Sequence, residues 1–360
     1  MKQGIYKKIV VKIGSNVITR ENGLPDIERI ETIVAQLAAL KKQKVDVVLV
    51  SSGAVACGRS IVKITDKTDP VSERQQLAAV GQIKLINTYA ELFGRHEITC
   101  AQVLVTKGDF RDRKHYLNMK SCITNLLKND IIPVVNENDV ISVTELMFTD
   151  NDELSGLMAS MIGAEALILL TSVDGLYNGN PNAPDSVLIP LIGQSKMDFS
   201  FISHEKSNFG RGGMVTKSRM AYNIAQMGIT VHIANGKTTN ILTKILAGEN
   251  IGTRFEKHKK TSQIKRWIAH TESYAKGKVY INNGAATALL QTGKASSLLP
   301  VGIVAIEEDF EKGDAVKILS EKGKLLGIGL ANYSSEKAMN RIGIKNQPVF
   351  IHYDYLFLNS

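Results

Sequence analysis

Apolar residues in this chain fall into short blocks whose period switches between two and about 3.6. Residues 7–13 (Lys-Lys-Ile-Val-Val-Lys-Ile) predict a buried strand that ends at Gly14-Ser15-Asn16. Ile27, Ile30, Val34 and Leu37 then recur at helical spacing across 26–42, with charges between them. The alternation continues with strand 45–50, which runs into Ser51-Ser52-Gly53-Ala54, then helix 72–94 and strand 98–105. Helix 112–129, strand 131–135, helix 152–162, strand 166–170, helix 213–227 and strand 229–233 follow. Strands alternating with helices predict βαβ units and an α/β fold, an open, mainly parallel sheet sandwiched by helices.

The texture changes near residue 256, where Glu256-Lys257-His258-Lys259-Lys260-Thr261-Ser262-Gln263 is polar throughout. Beyond it, short apolar runs separated by glycines (279–281, 303–306, 315–318 and 325–328) predict a small, mostly β domain. The expected organisation is a catalytic domain over 1–257, a linker over 258–274 and the β domain over 275–360.

Composition narrows this picture without choosing a function. Of the 360 residues, 44% are apolar and 22% charged, the balance of an ordinary globular protein. No run of about eighteen apolar residues appears, so no membrane-spanning helix is expected. Met1-Lys2-Gln3-Gly4 carries neither the apolar stretch nor the cleavage site of a secretion signal. Cys57, Cys100 and Cys122 lack CxxC spacing and read as reduced thiols. A cytoplasmic protein without a structural metal is therefore the expectation. The net charge of +9 fits an anionic partner, and it equally fits scattered surface lysines.

Candidate chemistry gathers at the carboxyl ends of the strands, where parallel sheets bind ligands. Gly14-Ser15, Ser51-Ser52-Gly53-Ala54 and Asn136-Glu137-Asn138-Asp139 each follow a strand. Lys12 lies inside an apolar strand, where a charge is costly unless it meets an anion. Lys217 closes the glycine-rich stretch Gly210-Arg211-Gly212-Gly213-Met214-Val215-Thr216-Lys217 at a helix start. Phosphoryl transfer needs cations and amides aimed at the moving group, and two lysines across a cleft supply them. Asp150-Asn151-Asp152-Glu153 caps another helix and can also hold a substrate ammonium, fix a lysine or take part in a Mg²⁺ site. GxxxxGK[ST], GxGxxG after the first strand, HRD and DFG are all missing, which disfavours P-loop and protein-kinase folds.

Together these residues resemble the amino-acid kinase family, and within it the branch that phosphorylates glutamate. The likeness runs through Val10-Val11-Lys12-Ile13-Gly14-Ser15, Ser51 to Val55, Gln76 to Gln82, Pro133 to Asp139, Asp150 to Ser155, Gly175-Leu176-Tyr177 and Gly212 to Lys217. The last domain looks like a PUA module, carried by Asn283-Gly284-Ala285, Ser297 to Ile303 and Gly329 to Ser335. The resemblance implies transfer of the ATP γ-phosphate to the γ-carboxylate of L-glutamate, the first step of proline biosynthesis. It implies that Lys12 and Lys217 neutralise the phosphates, that Gly14 and Gly53 offer amides, and that Asp152 orients the lysines. Ser52, Asp139 and Asn151 would bind glutamate, with Asn136 nearby and Asp150 shaping the same loop. Thr171, Ser172 and the run Arg211, Gly212, Gly213, Met214, Val215, Thr216 and Lys217 would bind ATP, with Mg²⁺ bridging its phosphates. Feedback inhibition by proline, a dimer or tetramer, and hand-off of glutamyl phosphate to a reductase are implied as well. Ser172 stands where aspartate is common, Arg211 where threonine is common, and Asn282-Asn283 where an acidic pair is frequent.

Two other readings stay open on the sequence. One is another amino-acid kinase, acting on acetylglutamate or uridylate. The other is an RNA-binding protein using the PUA module, with Lys257, Lys259, Lys260, Lys265 and Arg266 as a basic run before it.

Overall fold

The computed structural model describes residues 5–64, 69–142, 148, 150–181, 183, 185–195, 213–258, 275–291 and 296–358. The chain divides into two compact units, one of residues 1–110 and 115–260, the other of 111–114 and 261–360.

The first unit is built on a sheet of eight strands: β1 (Lys8–Ile13), β2 (Asp46–Ser51), β3 (Cys100–Val105), β4 (Ile132–Glu137), β5 (Ala166–Thr171), β8 (Leu191–Ile192), β9 (Thr230–Asn235) and β10 (Thr253–Phe255). Their order is β3-β4-β2-β1-β5-β9-β10-β8. Every pairing is parallel except β9 with β10. The short β6 (Leu176–Tyr177) and β7 (Leu188–Ile189) form a separate antiparallel pair. Sequential βα crossovers build the parallel part, and the late antiparallel pairing uses a three-residue strand too short to announce itself in the hydropathy pattern.

Strand pleat decides which face each β1 residue serves. Ile9, Val11 and Ile13 join a core with Ile30, Ile33, Leu37 and Leu40 of the helix Ile27–Lys42. Val10 and Lys12, at the alternate positions, take the other face, where helix α7 (Asn151–Ile162) runs, buried from Leu154 to its end. Parity thus directs Lys12 toward the start of α7. The continuous apolar run of β1 is explained the same way, since helices cover both faces.

A second helix pair sets the opposite wall. The helices Ala54–Arg59 and Pro70–Gly94 touch at glycines: a Cβ on Gly81 would lie 1.8 Å from the Ala54 carbonyl oxygen, and one on Gly58 would lie 2.0 Å from that of Leu77. No side chain fits at either position, so backbone meets backbone there. The short helix begins at Gly53, whose φ of 108° belongs to the left-handed region that favours glycine.

The second unit is a five-stranded sheet of order β12-β11-β13-β14-β15, with β11 (Gly277–Ile281), β12 (Ile303–Glu307), β13 (Ala315–Ser320), β14 (Leu325–Leu330) and β15 (Leu356–Leu358). It has its own core around Val279, Ile281, Val316, Ile318, Phe350 and Ile351. The helix Asn283–Leu290 follows β11 directly, capped by Asn282 Oδ1, which accepts from the Ala285 amide at 2.9 Å. No helix among the described residues is long and apolar enough to cross a membrane.

Candidate active site

The site begins with the cap of α7. Asp150 accepts hydrogen bonds from the amides of Asp152 and Glu153 at 2.9 and 3.1 Å, which fixes the first turn. That turn places the Asp152 carboxylate, 3% exposed, against two cations. One oxygen lies 2.7 Å from Lys12 Nζ and the other is paired with Lys217 Nζ. Lys217 comes from the first turn of α8 (Met214–Gln226), which starts at Gly213. Burial opposes ionisation of Asp152, but the two lysines outweigh it and hold the carboxyl well below the usual range. Burial pulls Lys12 down, and Asp152 offsets part of that pull. Burial, and then the neighbouring Asp152 charge, push the Asp150 carboxyl up. Two ammonium groups share one carboxylate here, so the buried triad keeps a net positive charge that an anion can answer.

Next to the triad lies a polar cluster drawn from the ends of β2 and β4 and the start of α7. Asn151 Nδ2, with two hydrogens to donate, has three acceptors within reach: the Ser51 carbonyl at 2.9 Å, Ser52 Oγ at 3.1 Å and Asn136 Oδ1 at 3.2 Å. Asn136 in turn donates to Gln82 Oε1 at 3.0 Å and accepts from the Glu137 amide. Three residues further, Asp139 is buried and accepts from Arg74 Nε at 3.1 Å and from Arg74 Nη2 at 2.6 Å. Buried Glu137 accepts from the Phe148 amide at 2.9 Å and lies 3.9 Å from Arg74. Gly53 opens the helix beside Ser52.

On the other side of β1, Thr171 ends β5 half-buried and Ser172 follows it, exposed. Asn235, at the end of β9, donates to Asp174 at 3.0 Å beside them. Gly213, Met214, Val215 and Thr216 form the start of α8. Arg211 and Gly212 lie outside the described residues.

The structure therefore brings Lys12, Asp152 and Lys217 together, and Ser52, Asn136 and Asn151 together beside them. Gly14 requires a correction: its amide donates to the Leu170 carbonyl at 3.0 Å, so that amide is engaged within the sheet instead of facing a phosphate. Five residues escaped the sequence reading as site residues. Arg74 and Gln82 sit on a long amphipathic helix, where nothing but the fold turns them toward β4. Asp174 and Asn235 are ordinary loop and strand-end residues whose pairing spans 61 positions. Gln82 and Glu137 fall within stretches that carry the family resemblance, and only the Asn136 bond of the one and the burial of the other single them out. Among the described residues no group of three or more His, Cys, Asp or Glu side chains could hold a metal ion. Asp152 is engaged by both lysines and Asp150 Oδ1 by the helix cap, and the one remaining oxygen, Asp150 Oδ2, is too little by itself to make a protein cage for Mg²⁺.

The amino acid kinase family matches residues 7–235, and the PUA domain matches residues 277–347. The chain is 50% identical to the glutamate 5-kinase of Chlorobaculum tepidum over 359 residues, which is 98% of each chain. It is also 50% identical to the glutamate 5-kinase of Bacteroides thetaiotaomicron, across 99% of this chain and all of that one. Among solved structures, a carbamate kinase from Giardia lamblia bound to AMP-PNP superposes with a TM-score of 0.51 at 20% identity, covering 71% of this chain and 99% of that one. An isopentenyl phosphate kinase from T. acidophilum gives 0.50 at 18%, covering 69% of this chain and all of that one. At that identity the likeness concerns the fold alone.

Proposed function

We infer that this chain, which belongs to the amino acid kinase family, transfers the γ-phosphate of ATP to the γ-carboxylate of L-glutamate and releases glutamyl 5-phosphate. The observation that carries this reading is the Lys12–Asp152–Lys217 triad lying beside the Ser52–Asn151–Asn136 cluster. The 50% identity to glutamate 5-kinases over the whole chain supports the choice of acceptor over acetylglutamate or uridylate.

The geometry fits direct in-line attack. The polar cluster orients the γ-carboxylate, and Asp139 takes the substrate ammonium. Thr171, Ser172 and the start of α8 receive the nucleotide, with Arg211 and Gly212 belonging to the same reading. Lys12 and Lys217 face the transferring phosphoryl group, where negative charge spreads over its oxygens. Asp152 keeps both ammonium groups in place before ATP arrives, so little reorganisation accompanies transfer. The attacking oxygen is already an anion, and no general base is required. Mg²⁺ belongs to this reading as a companion of the nucleotide, and none of these steps passes through it.

A cytoplasmic enzyme opening proline biosynthesis, a homo-oligomer, inhibition by proline at the glutamate site and hand-off of the labile acyl phosphate to a reductase complete the proposal. RNA binding by the PUA domain is the alternative role for the second unit. Incubation with L-glutamate, ATP, Mg²⁺ and hydroxylamine tests the central claim, because hydroxylamine traps an acyl phosphate as its hydroxamate. Hydroxamate that depends on L-glutamate is expected. Its absence, with acetylglutamate or uridylate consumed instead, would overturn the acceptor.

A further inference from the structure

We propose that Arg74 is a substrate-recognition residue: it holds Asp139 while the site is empty and passes to the α-carboxylate when L-glutamate binds. The inference rests on the reading of this site as one for L-glutamate. Asp139 has a side chain only 7% exposed, and a buried carboxylate is costly without a partner. Its partner is Arg74, on the helix Pro70–Gly94, which points both Nε and Nη2 at the single oxygen Oδ1. A substrate ammonium that reaches Asp139 therefore arrives at a position already held by a guanidinium.

The two partners differ in freedom. Asp139 is fixed in a turn that is pinned elsewhere: the amides of Ile141 and Ser142 donate to the Asn138 carbonyl. Gln75 Nε2 donates to the Val140 carbonyl at 2.8 Å, so helix and turn are joined independently of Arg74. The Arg74 side chain is 35% exposed and sits on a long, flexible stem. An α-amino acid carries an ammonium and a carboxylate on one carbon, so it can enter between the two. Its ammonium takes Asp139 and its carboxylate takes Arg74, turning one ion pair into two with no change in net charge. A ligand with the ammonium alone must instead displace Arg74 and brings it no carboxylate in exchange, so that Glu137, 3.9 Å away, is the only one of the two original carboxylates left to it.

This exchange makes two ligands respond to one substitution in opposite directions. Arg74→Ala should raise the KM for L-glutamate about ten- to a hundredfold, as loss of a charge-assisted carboxylate bond does, with kcat nearly unchanged. Binding of 4-aminobutyrate, which lacks the α-carboxylate, should stay the same or tighten, because Asp139 no longer has to release a guanidinium. Arg74→Lys should recover part of the L-glutamate affinity. KM comes from the hydroxamate assay, and the affinities of both ligands come from calorimetry on the full chain without nucleotide. Equal weakening of both ligands would reduce Arg74 to a residue that shapes the turn and would overturn the proposal, as would an unchanged KM for L-glutamate. A wild type that binds L-glutamate through Arg74 but forms no hydroxamate keeps this pairing and loses the proposed reaction. A wild type that turns over L-glutamate indifferently to Arg74 does the reverse, and one that neither binds nor phosphorylates it overturns both.

Discussion

One oxygen of the Asp152 carboxylate pairs with Lys12 and the other with Lys217, so a single buried anion holds two cations from opposite sides of the site. Lys12 is fixed by a central strand and Lys217 by the first turn of a helix, two rigid elements separated by 205 positions in the chain. Asp152 itself stands at the start of α7, where backbone amides favour a negative charge. The arrangement stores positive charge where water is excluded and leaves it to be answered by phosphate.

Removing either lysine should therefore cost turnover more than binding. Lys12→Ala or Lys217→Ala should each lower kcat by about a hundredfold or more, the usual consequence of losing a preorganised charge in the transition state. Steady-state hydroxamate formation at saturating L-glutamate and ATP measures this. Near wild-type turnover in one variant would take that lysine out of the mechanism.

Asp139 should separate the two substrates. Only L-glutamate brings an ammonium for this carboxylate, so Asp139→Asn should raise the KM for L-glutamate by about tenfold or more and leave that for ATP nearly unchanged. Parallel titrations of the two substrates provide the comparison. Equal effects on both constants would count against placing Asp139 at the acceptor.

The residues legible in the sequence were those that broke a local pattern. Lys12 interrupts an apolar strand, Gly53 follows another, and Asp150-Asn151-Asp152 crowds polar groups at a helix start. The alternation of elements made a parallel sheet readable. Strand order was hidden, because neighbours such as β1 and β5 lie more than 150 residues apart. Arg74 was invisible for a related reason: on an exposed helix start an arginine is unremarkable, and only the fold sets it on Asp139. The helix Ala54–Arg59 was also missed, since it is short, contains Gly58 and depends on packing against Gly81.

His232 should make the first unit acid-sensitive. It lies in β9 with Tyr6 Oη 2.9 Å from its Nε2, and Arg254 stands opposite it on β10. Burial, with the Arg254 charge adding to it, lowers its pKa from 6.5 to about 4. Between those values the unfolded chain binds a proton that the folded chain refuses, so stability rises with pH and is lost on acidification through that window. The full effect is on the order of 3 kcal/mol. His232→Gln can still bond Tyr6 and does not titrate. Its melting temperature should fall less than that of the wild type between pH 6.5 and 4.5. Parallel curves for the two proteins would exclude His232 as the source.

The two units should also be separable. Each has its own sheet and its own apolar core. The first closes on itself near its end, where the His258 amide donates to the Ala225 carbonyl at 2.9 Å and its ring meets Tyr222 edge-on. Every residue assigned to the site precedes Lys260, the last being Asn235. A chain ended after Lys260 should therefore fold, form hydroxamate within a few-fold of the full-length rate, and differ mainly in regulation or assembly. Trp267 and Ile268 lie outside the described residues, so exposure of apolar surface has to be checked directly. Circular dichroism and thermal melting establish that the shortened chain is folded, and hydroxamate formation with and without proline then compares the two proteins. A well-folded but inactive product would mean that the second unit completes the active site, and the assignment of all chemistry to the first unit would fail.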